Sequence, residues 1–305
     1  MIVDAVYTWV NGCDPAWQLV RQNTREELNL PDDSQESGFA DRYIQNGEIQ
    51  LSLQSLKRFA PWIRRIYIVT MNQIPANLPS DLDIRIVDHT EILPADALPT
   101  FNSFAIETAL HKIPDLAEHF IYFNDDMFLG SPVRIADFFN EKGQCIMPWV
   151  DNNVVQHSRR NTNSYESALY TSSLHFAKQF GIKEAAHICR YPSHTVVPKT
   201  KFSMSEAWRI FPTEMKQTER SRFRQFEQTI HFITNYIDLA SGRAILQAGD
   251  ARYFATDIAL KEHWLSHRSV PKLFCVNQVR SNEFQEIMKA IFDQQAAVKI
   301  RRRRF

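Results

Sequence analysis

The chain has 305 residues, and its 35 Lys plus Arg balance 35 Asp plus Glu, so the formal net charge is zero. That balance excludes a protein that binds nucleic acid by neutralising phosphates, and an apolar share of 44% excludes a disordered polypeptide. No apolar run reaches the roughly 18 residues of a membrane-spanning helix, and no charged-then-apolar leader precedes the first strand, so neither a spanning helix nor a cleaved secretory signal is expected.

Length predicts one large domain or two closely packed ones, with ample material for a core. The 8 glycines disfavour an architecture built on Gly-rich loops, and 21 Phe suit a thick core or a sugar-facing cleft. Cys13, Cys145, Cys189 and Cys275 lie far apart without metal-finger spacing, which predicts reduced thiols and a cytoplasmic protein.

The chain opens on a β-rich run, Ile2 to Val10, ended by Asn11-Gly12. Its near-continuous apolar character fits a strand buried on both faces of a parallel sheet. Gln22 to Gly38 reads as a polar surface loop or lid. Gly47 to Phe59 has helical periodicity at Ile49, Leu53, Leu56 and Ala60, stopped by Pro61. Strands follow at Ile66–Thr70 and Ile84–Val87, a helix around Ser103–Lys112, and a strand at His119–Phe123. The order β-α-β-β-α-β predicts an α/β fold: a mostly parallel central sheet with flanking helices. Past Pro148 the predicted elements are helices, at about 165–180, 203–211, 220–240 and 283–292. The chain closes on Arg301-Arg302-Arg303-Arg304-Phe305.

Three stretches carry chemistry. The apolar strand Phe120–Phe123 runs into Asn124-Asp125-Asp126. Ligands of open α/β sheets bind beyond the carboxyl ends of the strands, and carboxylates there can hold Mg²⁺ or Mn²⁺ against phosphate oxygens. A solvated strand end is the equal alternative. In the first strand, Asp4 interrupts the apolar run. It either bonds backbone amides of a neighbouring loop, the reading favoured for Asp4 itself, or shapes a nucleotide pocket, the reading favoured for Tyr7 to Asn11. His187 to His194 places histidines beside Arg190 and Pro192 in non-helical chain suited to a cleft, where a His is the commonest general base near neutral pH. Arg222-Phe223-Arg224 offers guanidinium groups for phosphate oxygens, or else a solvated helix face.

These residues resemble a family. Asp4-Ala5-Val6-Tyr7-Thr8-Trp9-Val10-Asn11-Gly12-Cys13-Asp14-Pro15 resembles the opening block of the Stealth family. A second block runs from Arg42-Tyr43-Ile44-Gln45-Asn46-Gly47-Glu48 through Thr70 and Thr100-Phe101-Asn102-Ser103 to Tyr122-Phe123-Asn124-Asp125-Asp126. A third spans His187 to Arg224, and a fourth is Lys272-Leu273-Phe274-Cys275-Val276-Asn277. Stealth proteins are sugar-1-phosphate transferases. The resemblance implies a UDP-sugar donor, a glycan acceptor, Mg²⁺ or Mn²⁺, and release of UMP in capsule or cell-surface polysaccharide synthesis. It implies a fold of the nucleotide-sugar-transferase kind, with a nucleotide-sugar-binding core over 1–150. A helix-rich catalytic and acceptor part over 151–270 and a return to the core with a basic tail over 271–305 complete the expected layout.

Carried over by position, His194 is the catalytic base, Arg224 the phosphate-binding group and Asp126 a catalytic metal ligand, with Asp125 and Asn277 beside it. Asp4, Tyr7, Thr8, Trp9, Asn11, Arg42, Asn46, Glu48, Asn102, Ser103, Glu107, Asn124 and Arg190 are read as substrate-binding. Four positions depart from the pattern. Gln45 and Gln278 stand where Asp is usual, Gln54 where Arg is common, and Val197 where a second His is expected. The alternatives are a metal-dependent glycosyltransferase that releases UDP, or a non-catalytic nucleotide-sugar-binding protein. With the first block at residue 4, little chain is expected outside the catalytic unit. The Arg301–Arg304 run reads first as a disordered tail, and otherwise as a contact to an acidic partner or to an anionic membrane surface that would hold a cytoplasmic enzyme at its inner face.

Overall fold

A computed structural model describes residues 1–31, 43–154, 164–183, 190–281 and 283–302. The centre is a sheet in the order β3-β2-β1-β4-β8, formed by β1 (Val3–Thr8), β2 (Ile66–Thr70), β3 (Ile84–Asp88), β4 (His119–Asn124) and β8 (Val197–Thr200). The first four strands are parallel, and β8 runs antiparallel to β4.

The apolar run of β1 is explained by cover on both faces, since alternate residues point to opposite sides. Val3, Ala5 and Tyr7 pack with Leu53, Leu56 and Phe59 of α2 (Glu48–Phe59) and with Met288 and Ile291 of α9 (Phe284–Arg302). Val6, with Phe120 and Tyr122 of β4, packs with Phe104 and Ile106 of α3 (Ser103–Ala109) and with Met204 of α5 (Lys201–Ile210). Ile233 of α7 (Ile233–Ala240) joins the same cluster.

Two smaller sheets flank the first. One has the order β10-β11-β5, from β10 (Ala251–Phe254), β11 (Leu273–Val276) and β5 (Met127–Leu129). The other has the order β7-β6-β9, from β7 (Arg190–Pro192), β6 (Cys145–Val154) and β9 (Ala244–Ala248). The remaining helices are α1 (Pro15–Glu27), α4 (Ser164–Gln179), α6 (Pro212–Glu219) and α8 (Asp257–His267).

The order β-α-β-β-α-β holds through residue 124, and three expectations change. Residues 22–27 are the end of α1, not a loop. Asp14 caps that helix by accepting from Ala16 N at 2.9 Å, and Pro15 follows at its first position. Residues 32–38 lie outside the described residues. The helix expected over 220–240 exists only as α7, because residues 220–232 are held by tertiary contacts. The Asn102 amide donates to Ser221 O at 2.9 Å and to Phe223 O at 3.3 Å, and Phe223 stacks on Phe101 at 5.2 Å. Finally, strands interleave the helices after Pro148: β8 joins the central sheet, and the others belong to the two short sheets, whose isolated apolar runs gave no clear period.

Asp4 is fully buried at the amino ends of the strands, the edge opposite the cleft described below. It accepts from Arg64 Nε at 2.9 Å, from Arg64 Nη2 at 2.6 Å and from Ala117 N at 2.7 Å. Of its two roles, the structure selects the backbone-binding one: it ties the chain entering β4 to the chain entering β2. Substituting Asp4→Ala strands a buried amide and half of an ion pair, and should lower unfolding stability by about 3 kcal/mol. Urea denaturation measures this, and nucleotide binding to the folded fraction should be unchanged.

Candidate active site

The strand order reverses direction about β1: β2 and β3 lie to one side and β4 to the other. A crevice must open where chains leave β1 and β4 in opposite directions, beyond their carboxyl ends. The register pairs Thr8 with Asn124 at that edge. A cleft of about 730 Å³ lies there. Thr8, Trp9, Asn46, Glu48, Ser103, Glu107, Asn124, Asp125, Asp126, His194, Arg224 and Asn277 all line it.

Other expected contacts lie elsewhere. Asp4 is at the far edge. Tyr7 is buried, its ring stacked on Phe123 at 4.7 Å and its hydroxyl 3.0 Å from Ser52 Oγ. Asn11 shapes the turn after β1, accepting from Cys13 N at 3.0 Å while its own N–H donates to Gln73 Oε1. Asn102 caps α3 by accepting from Phe104 N at 3.1 Å and binds the 221–228 loop. Its contribution is to position Arg224. Arg42 lies outside the described residues, as do residues 187–189. Of Arg190 only the backbone is described, in β7.

The floor is a hydrogen-bonded row. Tyr122 donates to Asn124 Oδ1 at 2.7 Å and lies 2.9 Å from both Glu107 Oε1 and Thr8 Oγ1. Burial pushes Glu107 up to about 7 against the pull of Arg224. His231 Nε2 approaches Glu107 at 3.8 Å, yet burial and the neighbouring Lys199 hold that imidazole neutral, so the pair is not an ion pair. Lys199 itself is buried and donates to His231 O at 3.0 Å and to Asn235 Oδ1 at 2.6 Å, which fixes the turn that carries His231.

The acid pair sits where β4 turns into β5. Gln45 Nε2 donates to Asp125 Oδ2 at 2.7 Å, and Trp9 Nε1 donates to Gln45 Oε1 at 2.9 Å. The departure from the family pattern at Gln45 therefore has a structural counterpart. An amide donates to Asp125 where a third carboxylate would repel it. Burial, then the charge of Asp126, pushes Asp125 up to about 7. Burial also raises Asp126, offset by His194. Asp126 Oδ2 accepts from the Cys275 thiol at 3.2 Å, while Oδ1 is buried with no partner among the described residues.

Such an oxygen calls for a proton or a cation. Adjacent carboxylates with an amide oxygen nearby at Asn277 form the hard donor set that suits Mg²⁺ or Mn²⁺, so these residues fit the expected ion.

His194 stands between the rings of Tyr165, at 5.6 Å, and Tyr253, at 5.7 Å. Burial lowers its pKa, opposed by Asp126 and assisted by Arg224, so the imidazole is neutral and able to accept a proton. Arg224 Nη2 donates to Ser103 Oγ at 2.7 Å, and its guanidinium lies 4.4 Å over the Phe104 ring. Gln45, His231, Tyr165 and Tyr253 also line the cleft and were not legible as cleft residues, and Cys275 is buried behind Asp126. Of the four, Gln45 alone left a signal, as a departure from the family pattern.

A neutral imidazole, a held guanidinium and an acid pair face one cleft, an arrangement able to accept a proton and to balance anionic charge. Comparison with known proteins makes this specific. Residues 2–28 match Stealth protein conserved region 1, and residues 42–147 match conserved region 2. The capsular polysaccharide phosphotransferase LcbA of Aeromonas hydrophila is 37% identical over 225 residues, covering 73% of this chain and 61% of LcbA. The capsular polysaccharide phosphotransferase fcs1 of Haemophilus influenzae is 33% identical over 292 residues, covering 92% of this chain and 79% of fcs1. The chain thus spans less than two thirds of the length of LcbA. A crystal structure of the galactosyltransferase LgtC with donor and acceptor sugar analogues aligns over 94% of this chain and 95% of LgtC, at 10% identity and a TM-score of 0.42. The chain belongs to the Stealth family.

The raised Glu107 carboxyl has a consequence for stability. The folded state keeps a proton that the unfolded state has released, so this contribution is lost as pH rises through about 7. Between roughly pH 5 and 8 the loss amounts to about 2 kcal/mol, and Glu107→Gln should remove it. Denaturant titrations in chelator at the two pH values measure the difference. An unchanged pH slope in the variant contradicts a protonated Glu107.

Proposed function

We propose that this cleft transfers a sugar 1-phosphate from a UDP-sugar to a hydroxyl of an acceptor glycan, with release of UMP, in capsule or cell-surface polysaccharide synthesis. The observation that carries this reading is the convergence of His194, Asp126 and Arg224 on the crevice beside β1 and β4. The donor lies with its pyrophosphate toward Asp126 and Arg224. His194 takes the proton from the acceptor hydroxyl as the oxygen attacks the phosphorus attached to the sugar. The bond from that phosphorus to the bridging oxygen breaks, and UMP leaves.

Arg224 balances the charge on the transferring phosphate, and its bond to Ser103 and its seat on Phe104 keep it aimed. When bound, Mg²⁺ or Mn²⁺ held by Asp126 with Asp125 and Asn277 supplies charge neutralisation for the pyrophosphate. Most of the rate enhancement is then positioning and electrostatics, as in phosphoryl transfer generally. Trp9, Asn46, Glu48 and Asn124 form the remaining walls against which the donor rests. Among the described residues no helix is long and apolar enough to cross a membrane. The same reading puts the enzyme in the cytoplasm, with the Arg301–Arg304 run as its contact to an anionic membrane surface.

His194→Ala should reduce kcat by about 100-fold or more while the Kd for UDP changes little. In the wild type, the acid limb of kcat/KM should lie below pH 6.5, because burial lowers the imidazole pKa. Steady-state kinetics with UDP binding measured by calorimetry decides this. Wild-type turnover in the variant removes His194 from the role of base.

A further inference from the structure

Among the described residues, one cluster of His, Cys and carboxylate groups brings its ligand atoms together. Asp126, His194 and Cys275 each offer one atom, all within 4.8 Å of one another. The set is a carboxylate oxygen, an imidazole nitrogen and a thiol sulfur. It differs in kind from the all-oxygen set that serves Mg²⁺, because sulfur and imidazole select a softer ion. We propose that Asp126, His194 and Cys275 form a binding site for Zn²⁺, which switches the cleft off by occupying the imidazole and the carboxylate that transfer requires.

The geometry is close to what such an ion needs. Two ligands on a tetrahedral zinc, one oxygen and one sulfur, stand roughly 3.5 Å apart. Asp126 Oδ2 and Cys275 Sγ are already 3.2 Å apart. The backbone fixes these two relative to each other. Cys275 pairs with Met127 across β11 and β5, and Val276 N donates to Asp126 O at 2.9 Å. His194 is held between Tyr165 and Tyr253, so it too is pre-positioned. Asp126 and His194 are partly exposed to the cleft, whereas Cys275 is fully buried behind them. An ion therefore enters from the cleft and meets the sulfur last. Asp126 Oδ1, buried without a partner among the described residues, is a second oxygen available to it.

Binding forms Zn–O, Zn–N and Zn–S bonds and releases the Cys275 thiol proton to solvent. Three protein ligands leave the fourth tetrahedral position to water. In the metal-free protein the same thiol donates its hydrogen to Asp126, so one sulfur serves as a hydrogen-bond donor in the open state and as a ligand in the closed one. The inhibitory consequence rests on His194 being the base proposed above, whereas the site itself does not.

The test uses Co²⁺ as a spectroscopic stand-in for Zn²⁺ on the whole metal-free protein. One equivalent of Co²⁺ should give a near-ultraviolet sulfur-to-cobalt absorption and intense visible bands of tetrahedral character. One equivalent of Zn²⁺ should abolish both, and a large excess of Mg²⁺ should not. Cys275→Ala should lose the near-ultraviolet band, while Cys13→Ala, at an exposed thiol outside the lining of the cleft, should keep it. His194→Ala should keep the sulfur band but bind Co²⁺ at least about tenfold more weakly. Stoichiometric Co²⁺ without a sulfur band, or a band that survives Cys275→Ala, overturns the site. If the cobalt site appears and Zn²⁺ leaves sugar-phosphate transfer unaffected, the site stands and the inhibitory role falls. If the site appears and no transfer is found with any donor, the proposed function fails instead.

Discussion

Everything in the cleft hangs on the parallel pairing of β1 with β4. That register places Thr8 beside Asn124 and leaves the chain free to diverge on either side, toward Trp9 along one path and Asp125 along the other. The pairing is possible because both faces of β1 are covered, so an almost uninterrupted apolar strand finds no solvent. Asp4 ties together the chain at the amino ends of the same strands, at the edge opposite the crevice. Residues from distant parts of the chain, among them His194, Arg224 and Asn277, converge there although none is adjacent to another in sequence.

Burial then sets the chemistry. Asp125 and Glu107 are pushed to about 7, and His194 is pushed the other way, so the cleft holds carboxyls near the edge of ionisation beside a neutral imidazole. Such a site is poised for an ion or substrate that supplies positive charge to the acids and a proton to the base. The chain's zero net charge hides this arrangement, because positive charge is placed locally: Arg224 and Arg280 line the cleft, and Lys199 is buried against the turn that carries His231. The Zn²⁺ site uses the same feature, an Asp126 that lacks a full set of partners.

The sheet was legible in the sequence where the physics was local. Continuous apolar runs bounded by turns located β1, β2 and β4, and Asn124-Asp125-Asp126 at a strand end marked the site, since the strand order dictates where ligands lie. Legibility failed where tertiary contacts decide. The 220–232 segment has helical composition, but Asn102 and the Phe101–Phe223 stack hold it as the loop that delivers Arg224. Asp4, Tyr7, Asn11 and Asn102 carry the polar character of binding residues, and the structure spends that polarity on backbone and side-chain bonds away from the cleft. Tyr253 and His231 reach the cleft from a short strand, β10, and from the loop before α7, neither of which carries a readable period. Gln45 stood out only as a departure, and its bond to Asp125 appears only in three dimensions.

The central claim is that phosphorus, and not the sugar carbon, is the atom attacked in this cleft. The nucleotide product tests it most directly. Purified protein with a panel of UDP-sugars, glycan acceptors and Mg²⁺ should release UMP mole for mole with glycan gaining both sugar and phosphate, as read by chromatography and mass spectrometry. Release of UDP with a glycan that gains sugar and no phosphate would contradict the account.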